Sequence, residues 1–474
     1  MSKRTKLISF LAVSALIAGA CGNRADDDDS GSSGSQAPPA STAEQPADTG
    51  GGEAPSSDPA TTEAPTTEAP ATTVGVSDAG VTDDTVKIGG SATLSGPTGS
   101  IGAEVVGAAQ SYFDLVNSQG GVNGRMIEFI TYDDRAESGQ YLANVKKLVE
   151  EDNVIALVTG FGDTAVEYIA DQEIPTITFG VSPVAFQSKY PTIYPMVGNA
   201  LLWTQEFIAG LDDRGVIEEG MTVGVIYDDA LIDIAPYVPA IKESWENVGA
   251  EVVSADVMTL ATGNCDALVL KMKDLDIDYW DFQTSAWFLC VQAADRQEWT
   301  PNIGWGGWPA SVPLTATVAG PLVEGVWAGS NGDQPTGAPR GFTDFTQEYI
   351  DAVTAYDPEL AKPIRLESPA MLGYWAGAKM IVAGIEAQGD IVTKAGLNEW
   401  IQNVENFEIG VTPPVISMAP DCKTGSEVVW IAPWEWDAEQ EIAVRTAGDY
   451  FTSPQKDAFG GECFLTLLSD EILG

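Results

Sequence analysis

Not one of the 474 residues is histidine. That absence removes Ser–His–Asp and Cys–His nucleophile pairs, histidine general bases and histidine-ligated zinc together. An enzyme built on this chain would have to work through carboxylates, lysine, tyrosine or a bound cofactor. Cations are scarce as well: 23 Lys and Arg stand against 69 Asp and Glu, a formal net charge of −46. Such a surface cannot neutralise a phosphate backbone and is repelled by anionic lipid, so nucleic acid is excluded as a partner. What remains is a strongly solvated surface whose field would also draw in a cationic ligand. Apolar runs long enough to cross a membrane are missing.

Cysteine is sparse too, with five in all. Cys21 stands apart from the rest. Cys265, Cys290, Cys422 and Cys463 form an even set, which in an oxidising exterior reads as disulfides. The pairing is open, Cys265–Cys290 with Cys422–Cys463 being the local solution. A zinc site made from all four would need CxxC-like spacing, and no separation resembles it, so no metal is expected.

At the N-terminus Lys3, Arg4 and Lys6 precede an apolar run from Leu7 to Ile17, too short to span a bilayer comfortably. Ala18-Gly19-Ala20 follow, then Cys21. This resembles a bacterial lipoprotein signal, in which the chain is cut before the cysteine and its thiol carries diacylglycerol. Ala18 stands where such signals usually have leucine, and an ordinary signal peptide cut near Ala20 is the other option. Residues 1–20 are expected to be the signal peptide and 21–80 a lipidated cysteine followed by a disordered tether. The tether carries the acidic block Asp26–Asp29 and then Thr61-Thr62-Glu63-Ala64-Pro65 and its near repeat, too little apolar surface to offset ordering entropy. Prolines and like charges should keep it partly extended.

Beyond the tether, strands alternate with helices. Val86–Ile88 and Ile127–Tyr132 read as strands, with Val105, Ala109, Phe113 and Val116 at helical spacing between them. A helix is expected over Ser138–Glu150, a buried strand over Ile155–Val158 and another over Thr176–Thr178. The pattern then restarts at Val223–Ile226, with a helix through Ile241 and Trp245, a strand over Glu251–Val257, a helix after Cys265 and a strand over Asp278–Phe282. The same supersecondary order written twice predicts two similar α/β lobes, each a doubly wound, mostly parallel sheet. Ligands of such sheets bind outside the carboxyl ends of the strands, where two lobes would face each other across a cleft.

Leu94-Ser95-Gly96-Pro97, Gly102, Asn117-Ser118-Gln119-Gly120-Gly121-Val122-Asn123-Gly124-Arg125 and Tyr132-Asp133-Asp134, in that order, resemble the leucine/isoleucine/valine-binding family of periplasmic proteins, the type I substrate-binding components of ABC importers. The resemblance implies a two-lobed venus-flytrap fold with three hinge crossings, near Asn199, Trp327 and Ile409. The lobes would then comprise 81–199 and 328–409 for the first, 200–327 and 410–474 for the second. The glycines at 120, 121 and 124 are expected to turn the chain, and Asp133 and Asp134 to make loop hydrogen bonds at a strand end.

The resemblance also implies a solute carboxylate held by the first lobe at Thr164, Gly180 and Ser182. Hydroxyls and backbone N–H groups at a helix start suit that task. Gly162, Asp163, Ser95, Asp228 and Ser285 are expected to contact the solute with them. The family's acidic partner for an ammonium falls on Gly307, and its cleft tyrosines on Ile101, Ile232 and Ser285. An ordinary branched-chain amino acid bound in the usual way is therefore not expected, because an unpaired buried ammonium is costly. Asp163, Asp228 or Asp229 would have to replace the lost acid, or the solute lacks an amine. Among the tryptophans of the second lobe, Trp280 and Trp299 are expected in the core, and Trp305 and Trp308 at the cleft as an aromatic wall. The expectation is an extracytoplasmic, lipid-anchored, monomeric solute-binding protein on a bacterial cell membrane. It needs no cofactor, and it hands a small carboxylate, amide or aromatic solute to an ABC permease by lobe closure. A surface sensor or adhesive protein on the same fold, and a carboxylate-based hydrolase, are the alternatives.

Overall fold

The computed structural model describes residues 76–470 except 96–98, 136, 160–162, 180–181, 197–199, 229–234, 259–263, 285, 331–343, 367, 409–414, 425–428, 446–449, 452–465 and 467–469. Cys21, the signal peptide and most of the tether lie outside the described residues, as does Cys463.

The first sheet consists of β1 (Thr85–Ala92), β2 (Met126–Asp133), β3 (Ala156–Thr159), β4 (Thr176–Thr178) and β5 (Ile193–Pro195). They are hydrogen-bonded in the order β2-β1-β3-β4-β5 and run parallel throughout. β1 is the hub: Ile88 sits beside Phe129 on one side and Ala156 on the other. Parallel neighbours need crossovers, and α1 (Gly99–Ser118), α2 (Ser138–Glu150) and α3 (Val166–Asp171) supply them. β3 is buried along its whole length, which is why it reads as a continuous apolar run rather than an alternation. α2 forms over the expected residues and buries Tyr141, Val145, Leu148 and Val149.

A second sheet follows the same grammar. α4 (Ala200–Asp213) leads into β6 (Thr222–Asp228), α5 (Val238–Glu246), β7 (Glu251–Met258), α6 (Asp266–Asp274), β8 (Tyr279–Gln283), α7 (Trp287–Arg296), β9 (Gly304–Gly307), α8 (Pro313–Ala319) and β10 (Trp327–Ser330). Helices α9 (Asp344–Tyr356), α10 (Pro363–Leu366), α11 (Pro369–Gln388) and α12 (Lys394–Gln402) come next. The remaining strands are β11 (Glu405–Phe407), β12 (Val415–Ala419), β13 (Cys422–Lys423), β14 (Val429–Asp437), β15 (Ile442–Arg445) and β16 (Tyr450–Phe451). The second sheet runs β15-β14-β10-β9-β8-β6-β7, with β16 on β14. β6 to β10 are parallel, and β14 closes the far side antiparallel to β10. The chain is thus a two-lobed α/β protein. Its largest apolar cluster runs from Val86 and Ile88 through Phe113 and Trp375 to Phe207, Val223 and Trp308, so it reaches both sheets.

Three expected boundaries shift. Ordered chain begins before residue 81: the backbone N–H of Asp78 donates to the Val392 carbonyl, and the Asp78 carboxylate accepts from the Lys394 backbone N–H. β10 keeps the chain in the second sheet beyond Trp327, to Ser330. Residues 415–424 do not join the second sheet after a crossing at 409. They pair as β11-β12-β13, and β13 sends the Lys423 ammonium into the first lobe's loop. The return to the second sheet comes only with β14.

Lys423 is fully buried, and its Nζ donates to the carbonyls of Ala185 (3.1 Å), Gln187 (3.0 Å) and Tyr190 (2.7 Å). Three donors matched to three acceptors make this burial tolerable. Ser188 in the same loop donates both its backbone N–H and its hydroxyl to the Asp470 carboxylate.

Cys265 and Cys290 are disulfide-bonded, their Cα atoms 4.9 Å apart, as the local pairing anticipates. Cys422 is disulfide-bonded too. The Cys265–Cys290 bridge staples the start of α6 to the middle of α7 inside the second lobe's core. With a sequence separation of 25, loop-closure entropy gives it about 3.5 kcal/mol. Replacing both cysteines by alanine should lower the stability read from urea denaturation by that order; an unchanged midpoint would show the bridge to be dispensable.

Candidate functional site

The carboxyl ends of β3 and β4 point toward the start of α4 and the turn after β9. Four aromatic rings meet there. Phe179, just past β4, stacks on Tyr374 of α11 with centroids 6.1 Å apart and 18° between the planes. Phe179 also meets Trp203, in the first turn of α4, edge-on at 5.8 Å. Trp203 in turn packs on Trp308, just past β9, at 4.9 Å. Phe179 and Tyr374 belong to the first lobe, Trp203 and Trp308 to the second, so the rings form a seam between the lobes.

Polar contacts hold each side of the seam. The Tyr374 hydroxyl donates to the Thr159 carbonyl at the end of β3. Trp308 Nε1 donates to Gln283 Oε1 at 2.8 Å, and the Thr204 hydroxyl lies 2.8 Å from the same oxygen. The Trp203 indole N–H differs. Trp203 is 5% exposed, and its Nε1 is buried without a hydrogen-bond partner. Leaving such a donor unsatisfied costs about 1–3 kcal/mol, which an acceptor on a bound molecule would recover.

On the first lobe's rim the Ser182 hydroxyl donates to the Asp163 carboxylate at 2.7 Å, and the Thr164 hydroxyl donates to the Ser138 carbonyl at 3.2 Å. A hydroxyl has one proton. While these bonds stand, neither side chain has a proton for a solute carboxylate, and Asp163 adds an anion between them. Asp163 is open to solvent yet closely surrounded, and desolvation pushes its carboxyl above the usual range against the bond from Ser182. The Ser182 hydroxyl also accepts from the Val184 backbone N–H and so caps the short helical turn that follows.

Ser95 is held by the loop. Asp133 is hydrogen-bonded by the Ser95 side chain, by the Leu94 backbone N–H (2.9 Å) and by the Arg135 backbone N–H (2.9 Å). Asp134 accepts from Thr93 at 2.6 Å and from Ser91 at 3.4 Å. Both aspartates therefore tie the end of β2 to the end of β1 and the loop that follows it, hydrogen bonds of the kind their position at a strand end suggests. Gly162, Gly180 and Ser285, with Asp229 and Ile232, lie outside the described residues. Asp228 closes β6, and only its backbone is described.

Of the tryptophans expected at the cleft, Trp308 packs on Trp203 in the seam and Trp305 does not. Trp305 packs on Phe282 at 6.3 Å, against the second lobe's own core. Successive strand residues face opposite sides, so within β9 the ring at 305 is committed to that core. Trp308 lies past the strand and turns toward the seam. Trp280 is fully buried and Trp299 packs against the same core, as expected. The missing acid at 307 has a steric reason: a Cβ there would run into the backbone carbonyl of Phe282. No side chain, acidic or otherwise, fits between β8 and β10 at that point.

Phe179, Trp203, Tyr374 and Gln283 were not among the residues singled out from the sequence. Trp203 carried a legible signal, a bulky ring at the first turn of a helix directly after the expected hinge near Asn199.

Two lobes of doubly wound sheet, an aromatic seam between their carboxyl ends and a buried donor within that seam define a solute-binding protein of the two-lobed type. The family model for periplasmic binding proteins matches residues 85–441, and the chain belongs to that family. Among curated relatives, the Leu/Ile/Val-binding protein homolog 2 of Brucella abortus is 22% identical over 285 residues, which cover 58% of this chain and 73% of the relative. Homolog 1 of Brucella suis is 23% identical over 286 residues, with the same coverage of each chain. A fatty acid ABC transporter substrate-binding protein from Thermomonospora curvata superposes with a TM-score of 0.68 at 20% identity, covering 82% of this chain and 97% of its own. A branched chain amino acid ABC transporter protein from Thermus thermophilus with bound valine gives 0.67 at 17% identity, covering 80% and 99%. A solute-binding protein from Rhodopseudomonas palustris BisB5, in complex with 3,4-dihydroxy benzoic acid, gives 0.64 at 18% identity, covering 79% and 100%.

Proposed function

We propose that this chain is the solute-binding component of an ABC importer, and that its two lobes close on a small solute with an apolar or aromatic body and a neutral polar head. The buried, unpartnered Trp203 Nε1 in the seam of Phe179, Tyr374, Trp203 and Trp308 carries the reading. A solute entering between the rings exchanges ring–ring contact for ring–solute contact and gives the indole N–H an acceptor. Asp163, on the first lobe's rim and accepting from Ser182, is our candidate acceptor for a donor on the same head. A head with both a donor and an acceptor, such as a carboxamide, answers both groups, whereas a bare carboxylate answers only Trp203. The structural neighbours bind a fatty acid, valine or a dihydroxybenzoate by their names, all apolar bodies with polar heads. A carboxylic acid is the second reading, favoured by the benzoate-type neighbours; it requires Thr164 and Ser182 to turn away from their present acceptors.

Transport places the protein outside the cell membrane. We assign Cys21 as its lipid anchor, the segment after it as the tether that lets a monomer reach its permease, and three crossings between the lobes as its hinges.

Thermal unfolding of the full chain against aromatic and branched amides, the matching acids, amino acids, polyamines and sugars tests the assignment. A ligand at about a hundred times its dissociation constant adds about 2.7 kcal/mol. Amides should give the largest rise in Tm and polyamines or sugars none. Larger shifts with acids would move the assignment to the carboxylate reading, and no shift with any solute would overturn it.

A further inference from the structure

One carboxyl group in the second lobe has no exposed surface, although it sits on the strand that carries the seam's hydrogen-bond acceptor. Asp281 lies at the centre of β8 and is 0% exposed. Its Oδ1 accepts from Gln283 Nε2 at 2.8 Å and its Oδ2 accepts from Trp245 Nε1 at 2.9 Å. The same Gln283 amide turns its oxygen to Trp308 Nε1. A side-chain amide is polar in a fixed sense, with two donors at one end and acceptors at the other. An ionised carboxylate offers acceptors alone, so the nitrogen end of Gln283 must face Asp281 and the oxygen end must face Trp308.

We infer that Asp281 is the positioning residue of the solute-binding wall: by dictating which end of the Gln283 amide faces the seam, it holds the Trp308 ring against Trp203. This rests on the solute-binding reading for its consequence in affinity, but not for its geometry. If the amide turned round, its NH2 would meet the Trp308 indole N–H donor to donor, and the ring would have to swing away. Thr204 would not resist the turn, since its hydroxyl can donate to the Ala200 carbonyl instead, 2.8 Å away. Trp308 is thus the one group of this network whose place depends on the sense of the amide.

Protonation should release the device. Both oxygens of Asp281 already accept, so a protonated carboxyl must withdraw one of them to donate. Its neighbours in register are Val225 on β6 and Gly306 on β9, and Trp245 faces it from α5. Among the described residues the titratable group that feels its charge is Tyr279 of the same strand, whose hydroxyl is buried without a hydrogen-bond partner. Burial raises the Asp281 carboxyl to about 7, against the bonds from Trp245 and Gln283.

Indole N–H resonances of the full chain, labelled with 15N at tryptophan, test this without any solute. The Trp245 and Trp308 signals should move together between pH 6 and 8, and the Asp281→Asn protein should show neither movement. Independent behaviour of the two signals, or an unchanged titration in Asp281→Asn, overturns the inference. With the amide or acid that most raises Tm, wild-type affinity should fall as pH drops below about 7. Asp281→Asn and Gln283→Leu should each lose about tenfold, the worth of one buried hydrogen bond, and Asp281→Glu should recover part of it. Equal affinity of Asp281→Asn and wild type at pH 8 contradicts the inference. Should no solute bind, the importer reading fails and the resonances still decide the role of Asp281. Should the variants not fold, the wild-type titration decides it.

Discussion

Truncating either tryptophan of the seam to alanine should reduce solute affinity by about a hundredfold, the effect of removing an aromatic anchor from a desolvated pocket. Trp203 and Trp308 are the second lobe's half of a four-ring chain, and both are more than nine-tenths buried. Trp305→Ala, in β9 three residues before Trp308, should leave affinity unchanged, because that ring faces the second lobe's own core. The pair of results separates a wall from mere aromatic richness. Alanine at a buried tryptophan also costs about 3–5 kcal/mol of stability, so affinity must be read below the lowered melting range. Trp203→Phe avoids that difficulty. It keeps an aromatic ring beside Phe179 while removing the N–H and the smaller ring of the indole, so its loss should lie between about tenfold and the alanine value.

Stability should pass through a minimum close to neutral pH. Glu104 is buried at the start of α1; desolvation lifts its carboxyl to about 7, against bonds from Ser368 and Arg365 and the charge of Arg365. Asp281 is lifted to about 7 by burial as well. Both folded-state values lie above the unfolded ones, so the folded protein binds more protons between about pH 4 and 7, and stability falls as pH rises through that window. At about 1.4 kcal/mol per unit, each group contributes a few kcal/mol. Relief of self-repulsion in a chain of net charge −46 acts in the same direction. Lys423 has the opposite sign. Burial lowers its ammonium to about 7, partly offset by Asp470, while the unfolded lysine stays charged to about 10.5. Stability should therefore recover as pH rises above 7. Urea midpoints at pH 5, 7 and 9 read the trough directly, and Glu104→Gln should flatten its acid side. A midpoint that climbs steadily from pH 5 to 7 would show that these carboxyls are not desolvated as described.

The parts of this molecule that were legible in its sequence share one property: a buried face set against a polar one. α2 shows it through Tyr141, Val145, Leu148 and Val149, and β7 by alternation. α11 is a 20-residue helix buried on nearly all sides, with Met371, Trp375, Met380 and Ile385 fully inside and Gly377 fitted against Ile177. A helix with no polar face has no period to read. The three-stranded β11-β12-β13 sheet escaped notice for a related reason. Its strands are short, and what fixes it is Lys423, a residue whose chemistry normally marks the surface. At the site, composition pointed to aromatic walls but not to which rings would meet. Trp305 and Trp308 are three residues apart, and the end of β9 between them decides that one serves the core and the other the seam. The hydroxyls at 164 and 182 were legible as donors; that Ser138 and Asp163 would accept from them depends on folded geometry.

The lobe-closure reading stands or falls with the Trp203 indole N–H. Calorimetric titration of wild type and Trp203→Phe, each with an aromatic carboxamide and with an isosteric analogue lacking the carbonyl, isolates that contact as a double-mutant cycle. The carboxamide should lose about tenfold more on the substitution than the analogue does. Equal losses for both would mean that the solute meets the Trp203 ring but not its N–H, contradicting the account; none for either would mean that the seam is lobe packing rather than a binding wall.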